Sequence, residues 1–223
     1  KTNAGFSPAV PASSASCGPR SFGRYVQRMW YNVISTRLYL TNIIVMHWQQ
    51  VLLGIIILVG GIAVVGSYVY WIWANPAHRG DLWGGVPEGL RRFYVGSMLL
   101  AALGFFAVTY YVLFRLEPDD VQIFDRFGFV VFPILYAIIL AFSALWMPLT
   151  FAMLENPGTG LWVAIPLTLA AVGLSSLALL IALLALNTRE PGAYYWLAVA
   201  GIAALCLQTT VLDMLVWPAY FRT

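Results

Sequence analysis

The chain has 223 residues, of which 61% are hydrophobic and 9% charged, with a mean hydropathy of +0.81 and a formal charge of +3. Soluble domains carry about 25% charged residues, so this composition describes an integral membrane protein and sets soluble folds aside. Its twelve basic residues form no patch interleaved with solvent-facing aromatics, which argues against nucleic acid as a partner.

Residues 1–49 come first and differ from the rest. KTNAGFSPAVPASSASCGPRSFGR is rich in Ser, Ala and Pro, and no acidic residue occurs before Asp81. Arg-rich, Ser-rich, acid-poor sequence is the composition of an organellar transit segment, while RYVQRMWYNVISTRLYL (24–40) fits an amphipathic helix in the interface. The segment is therefore a leader, a tail or an interfacial arm. Its composition points to a mitochondrial or plastid membrane and leaves a bacterial inner membrane open.

Five apolar runs follow, at roughly 50–74, 92–116, 128–154, 161–187 and 194–217. Each reaches the ~20 residues that span about 30 Å of hydrocarbon. In lipid they must be helices, because the backbone finds no other hydrogen-bond partner there. The expected fold is all-α: a five-helix transmembrane domain over 50–217, then a short tail over 218–223. NPAHRGD, EPDD, ENPGTG and TREPG mark the breaks. The last two connections are short, so helices three, four and five should pack as antiparallel neighbours. DLWGGVPEGLRR, in the longer first connection, suits a folded interfacial loop. The N-terminal tail and the second and fourth connections carry eight Lys/Arg against four on the other side, which favours the N-terminus on the positive side.

Within the spans the polar residues are few. On the fifth, Cys206, Thr210, Asp213 and Trp217 are spaced 4, 3 and 4, one stripe of an α-helix. An aspartate at a span centre costs roughly 2.5–3.5 kcal/mol on insertion scales. It should face the bundle or a wet cavity, unless it snorkels to the edge that Trp217, Pro218 and Tyr220 mark. On the third span, Ser143, Trp146 and Thr150 share a face, and Pro148 removes one backbone donor. The resulting kink either opens a cavity or merely shapes packing. Trp48, Trp71, Trp73, Trp162, Trp196 and Trp217 sit at expected boundaries and read as interfacial anchors. Gly60, Gly61, Gly173, Ser175 and Ser176 are small enough for close helix approach.

Catalytic constellations are missing from the sequence. The spans hold no Ser/His/Asp set, no CxxC, no paired carboxylates and no metal-ligand spacing, which argues against an enzyme. Two histidines are too few for a di-haem cytochrome or a di-iron hydroxylase. Cys17 and Cys206 lie in the tail and in a span, an unpromising pair for a disulfide.

LAFSALWMPLTFAM (140–153) resembles the third-helix pattern of the tryptophan-rich sensory protein/translocator protein family, which reads roughly LALNxxWxPLFF. Trp146, Pro148, Leu149 and Phe151 match, and Ser143 stands at or near the family's Asn. The fifth span is similar to the family's last helix, approximately ATTLNxxVW, through Thr209, Thr210, Leu212, Asp213, Val216 and Trp217 after a one-residue adjustment, with Asp213 replacing an Asn. The likeness covers about 128–217. The family's KPxWxPP-like first loop is reduced here to Trp83 and Pro87, and its MGxxxYLV to Gly104 and Tyr110–Tyr111. The resemblance implies a five-helix protein, often dimeric, that binds porphyrins, sterols and aromatic small molecules within the bundle. Trp146 would then supply a stacking face, Pro148 would shape the cavity and Asp213 would orient the ligand, with Ser143, Thr150 and Thr210 alongside. A porphyrin or a lipid is the implied bound group. The expected partners are the bilayer and a second copy or a larger membrane complex. An accessory subunit of an organellar or bacterial membrane complex is the alternative, and a small transporter a second one; the latter would want more intramembrane charge and repeat symmetry.

Overall fold

A computed structural model gives the architecture and describes residues 47–187, 189 and 191–221. The arm and interfacial helix expected within residues 1–46 lie outside the described residues. The fold is all-α. Five helices are long and apolar enough to cross a membrane: α1 (Trp48–Ala74), α2 (Glu88–Phe114), α3 (Val131–Glu155), α4 (Thr159–Leu184) and α5 (Ala193–Tyr220). At 1.5 Å per residue, a 27-residue helix such as α1 or α2 is about 40 Å long, more than the hydrocarbon requires. Among the described residues there is no strand, only two isolated bridges that close the second connection, Ile123 with Phe127 and with Leu186.

The helices pack in the order α1–α3–α4–α5–α2. The short connections make α3, α4 and α5 successive neighbours, as their lengths imply. The pairings of α1 with α3 and of α2 with α5 are carried by small residues instead. Gly104 and Gly201 meet backbone to backbone. A Cβ on Gly104 would lie 2.2 Å from the Gly201 carbonyl oxygen, and one on Gly201 2.7 Å from that of Gly104. Gly60 admits Leu140 of α3, and Gly173 of α4 admits the backbone of Thr209 and Thr210 on α5. Gly61, expected to serve the same purpose, instead faces open space. In lipid, where apolar burial gives helices no advantage over the bilayer, such close approach is what dispersion needs.

α1 is the least enclosed helix. Only Leu53 is buried, and it lies along α3 while scarcely touching α2. Its first turn is nevertheless fixed. The Gln50 side chain accepts from the His47 amide at 3.1 Å and donates to the carbonyls of Leu113 and Leu116 at 3.0 and 3.1 Å. Those carbonyls sit at the end of α2, where the helical ladder supplies no donors.

The first connection folds, as its composition suggests. It contains two short 3₁₀ turns, Pro76–His78 and Asp81–Trp83, and then crosses the C-terminal end of α5. The Gly85 amide donates to the Tyr220 carbonyl at 2.9 Å, and the Trp217 indole donates to the Leu82 carbonyl at 3.1 Å. Gly84 holds φ +50°, and a Cβ there would meet Phe221 at 3.0 Å, so this position needs glycine. Trp217 corrects the reading of the boundary tryptophans. It is buried, stacked on Phe221 at 4.2 Å, and fastens the loop to the bundle. Trp48, Trp73 and Trp196 are more than half exposed, as interfacial anchors are.

Candidate functional site

Trp146, Pro148, Thr150 and Asp213 lie in the halves of α3 and α5 that end beside the first connection. Pro148 lies within α3 and donates nothing, so the carbonyl four residues earlier, Ala144, loses its helical donor. Ser67 of α1 supplies the replacement, its hydroxyl donating to the Ala144 oxygen at 2.8 Å. The proline thus creates an interhelical hydrogen bond that joins α1 to α3. Thr150 turns its hydroxyl back to the Trp146 carbonyl at 2.8 Å, within its own helix. Ser143 is half-buried on the same helix.

α5 departs from the α-helical stripe expected of it. From Leu207 to Val216 it is wound as a π-helix, and the Trp217 amide reaches back five residues to Leu212. π-winding is rare and concentrates at functional sites. Local hydroxyls favour it here by competing for backbone carbonyls. Thr209 donates to Leu205 at 2.9 Å, Tyr94 of α2 donates to Leu212 at 2.8 Å, and Pro218 contributes no amide. The wider winding redistributes the side chains. Cys206 joins the main core, Thr210 donates to the Gly173 carbonyl of α4 at 2.9 Å, and Trp217 turns to Trp146 with rings 5.7 Å apart. Asp213 accepts from the Gln208 amide at 2.8 Å. Five residues apart, the two would stand about 140° from each other on an α-helix; in the i→i+5 winding they stack.

Asp213 is half-buried, and the Tyr94 hydroxyl of α2 lies on the carbonyl of the residue before it, Leu212. Tyr68 of α1 packs against Trp146, with ring centroids 5.8 Å apart. Trp146 also meets Trp217, four residues beyond Asp213 along α5. Around them lie three apolar clusters: the main core, a group of Met153, Ile165, Leu169, Trp217 and Phe221, and a group of Val86, Tyr94 and Leu212.

Three buried polar atoms at this end have no hydrogen-bond partner: Ser97 Oγ, Trp146 Nε1 and Gln208 Oε1. The register of α2 against α5 relates two of them. Tyr94 pairs with Leu212, and Gly104 with Gly201. The antiparallel helices between those contacts put Ser97 level with Gln208. The expected site residues are thus partly assembled. Trp146 meets the rings of Tyr68 and Trp217, Asp213 bonds to Gln208, Thr210 bonds across to α4, and Thr150 bonds within α3. Tyr68, Tyr94, Ser97 and Gln208 complete the cluster. Tyr94 and Ser97 stand three residues apart on one face of α2, but only the helix order and register bring that face to Gln208, and Tyr68 stands on another helix. Among the described residues, no three His, Cys, Asp or Glu side chains come together to hold a metal ion.

Comparison with known proteins adds no relative: no protein family, no curated protein and no solved structure matches the chain.

Proposed function

We propose that the protein is a non-enzymatic membrane protein that binds an apolar or aromatic small molecule, sterol- or porphyrin-like in size, between its helices at the end where α5 is π-wound. The observation that carries this reading is the set of three unpartnered buried atoms, Ser97 Oγ, Trp146 Nε1 and Gln208 Oε1. A buried polar group without a partner costs about 1–3 kcal/mol. Two of them level with each other on α2 and α5, and a third on the indole of Trp146, are explained by a ligand that carries the missing hydrogen bonds. An apolar surround with a few convergent polar groups is what a small-molecule site requires. The resemblance of residues 128–217 to the translocator protein family points to the same class of ligand.

The test uses a property that separates binding from folding. Ser97→Ala removes an unpaired hydroxyl, so the melting temperature of the purified protein in maltoside micelles should hold or rise. Titration with a fluorescent sterol and with a porphyrin, followed by tryptophan quenching, should show saturable binding that Ser97→Ala and Trp146→Phe weaken about tenfold. Absence of saturable binding to both probes, or affinities unchanged in both variants, defeats the reading.

A second reading, an accessory subunit of a membrane complex, draws on α1. That helix buries only Leu53 and offers a long apolar face to lipid or to a neighbouring protein. Gentle solubilisation that leaves the chain only in a large assembly, with no probe binding by the isolated protein, would favour it. Residues 1–49 support an organellar membrane as the location.

A further inference from the structure

Asp213 carries a charge question that the ligand class above leaves open. Its carboxylate takes one hydrogen bond, from Gln208, and no basic side chain forms an ion pair with it among the described residues. The described arginines are occupied or lie at helix ends. Arg79 donates to Ile72, Arg91 to Val86 and Arg189 to Leu184, while Arg115 lies 4.0 Å from the Tyr194 ring centroid. Arg92 and Arg126 are exposed. A half-buried carboxylate within a span is therefore left without a cation among the described residues. A charge in such a place is either neutralised or paired.

Aromatic rings follow close by: Trp217 stands four residues, about one turn of the π-wound segment, beyond Asp213. Tyr68, Trp146 and Trp217 come from α1, α3 and α5 and form a continuous set of rings, 5.8 and 5.7 Å between successive centroids. Ring faces attract a cation within about 6 Å, and aromatic surrounds of this kind recognise alkylated ammonium groups. Gln208 Oε1, buried and without a donor, adds an acceptor beside the carboxylate.

We propose that the site takes an organic ammonium: a lipophilic amine whose cationic head lies between the Asp213 carboxylate and the rings of Tyr68, Trp146 and Trp217, with its apolar body among the helices. This rests on the reading of the site given above and narrows it. A porphyrin would bring its own carboxylates against Asp213, and a sterol hydroxyl would leave the charge unpaired. A lipophilic amine also has a route in. It partitions into the bilayer, and α1 scarcely touches α2, which leaves a seam between the helices that carry Tyr68 and Tyr94.

The experiment compares two probes of one shape, pyrenylmethyl-trimethylammonium and neutral 1-pyrenemethanol, titrated into the full-length protein in maltoside micelles and followed by tryptophan quenching. The cation should bind at least about tenfold more tightly than the alcohol. Asp213→Asn, which keeps the side chain's size and an acceptor, should remove that preference. Equal affinities of wild type for the two probes overturn the ammonium proposal and leave the small-molecule site standing. Persistence of the preference in Asp213→Asn also overturns it. If neither probe quenches saturably, both readings fall. Should Asp213→Asn not fold, the wild-type comparison decides alone.

Discussion

The hydrogen bond from Ser67 to the Ala144 carbonyl exists because Pro148 cannot make the helical one, and this dependence is measurable. In the native protein the Ser67 hydroxyl is the donor for that carbonyl, at 2.8 Å. Ser67→Ala removes it and leaves a backbone oxygen unsatisfied between α1 and α3. A group stranded in this way costs about 1–3 kcal/mol in proteins generally. Interhelical hydrogen bonds measured in membranes average about 0.6 kcal/mol and reach about 1.7. The stranded carbonyl belongs at the upper end of that range, so we expect a loss of about 1.5 kcal/mol. In a Pro148→Ala background the amide of residue 148 can reach the Ala144 oxygen, and Ser67→Ala should then cost only the ordinary bond, about 0.6 kcal/mol. The coupling energy between the two positions is therefore expected near 1 kcal/mol, well above the scatter of additive pairs. Reversible unfolding by SDS in mixed micelles, followed by tryptophan fluorescence on the four proteins of the cycle, measures it. Equal costs for Ser67→Ala in the two backgrounds would show that the proline does not govern this contact.

Two further expectations concern the helix contacts and the first loop. Gly104→Ala places a Cβ 2.2 Å from the Gly201 carbonyl, so α2 and α5 must separate at a cost of about 1–3 kcal/mol, whereas Gly61→Ala meets nothing and should be neutral or stabilising by up to about 1 kcal/mol. Equal melting temperatures for the two variants would refute the close contact. Trp217→Phe keeps the ring but loses the donor to Leu82, so the Gly85 amide, bonded to Tyr220 at 2.9 Å, should exchange with solvent about tenfold faster; unchanged exchange would mean that the indole does not hold the loop.

The helices were legible because lipid imposes one solution on an apolar run of spanning length, and the turn residues mark where each run stops. NPAHRGD and ENPGTG fall where α1 and α3 end, at Ala74 and Glu155. Adjacency was legible only where connections are short, between α3, α4 and α5. The pairing of α2 with α5 rests on Gly104 and Gly201, which are 97 positions apart and carry no signal in common beyond smallness. The role of Trp217 was hidden for a related reason. A tryptophan near a span end is an anchor if lipid surrounds it and a core residue if a loop folds over it, and only the path of residues 81–86 distinguishes the two. Pro148 was legible as a missing donor, but the recipient of its freed carbonyl, Ser67, lies on another helix.

The polar content of α5 divides along the line that the π-winding draws. Thr209 and Thr210 spend their hydroxyls on the carbonyls of Leu205 and Gly173, and the Leu212 carbonyl receives Tyr94. These bonds hold the segment in place and need no ligand to explain them. An α-helical reading put Thr210 and Asp213 on one stripe and so assigned them one purpose. The wider turn separates them: Thr210 goes to α4, while Asp213 stacks on Gln208. What remains after the structural bonds are assigned is small and specific: on α5 one carboxylate without a cation among the described residues and one amide oxygen, with the Ser97 hydroxyl of α2 level with that amide and the Trp146 indole N–H on α3. A helix that needed only to pack would lose nothing by replacing these groups with leucine and methionine. Asp213 and Gln208 stand where α5 leaves the α-helical path, with Ser97 of α2 level with Gln208, and on these three residues the case for a ligand is decided.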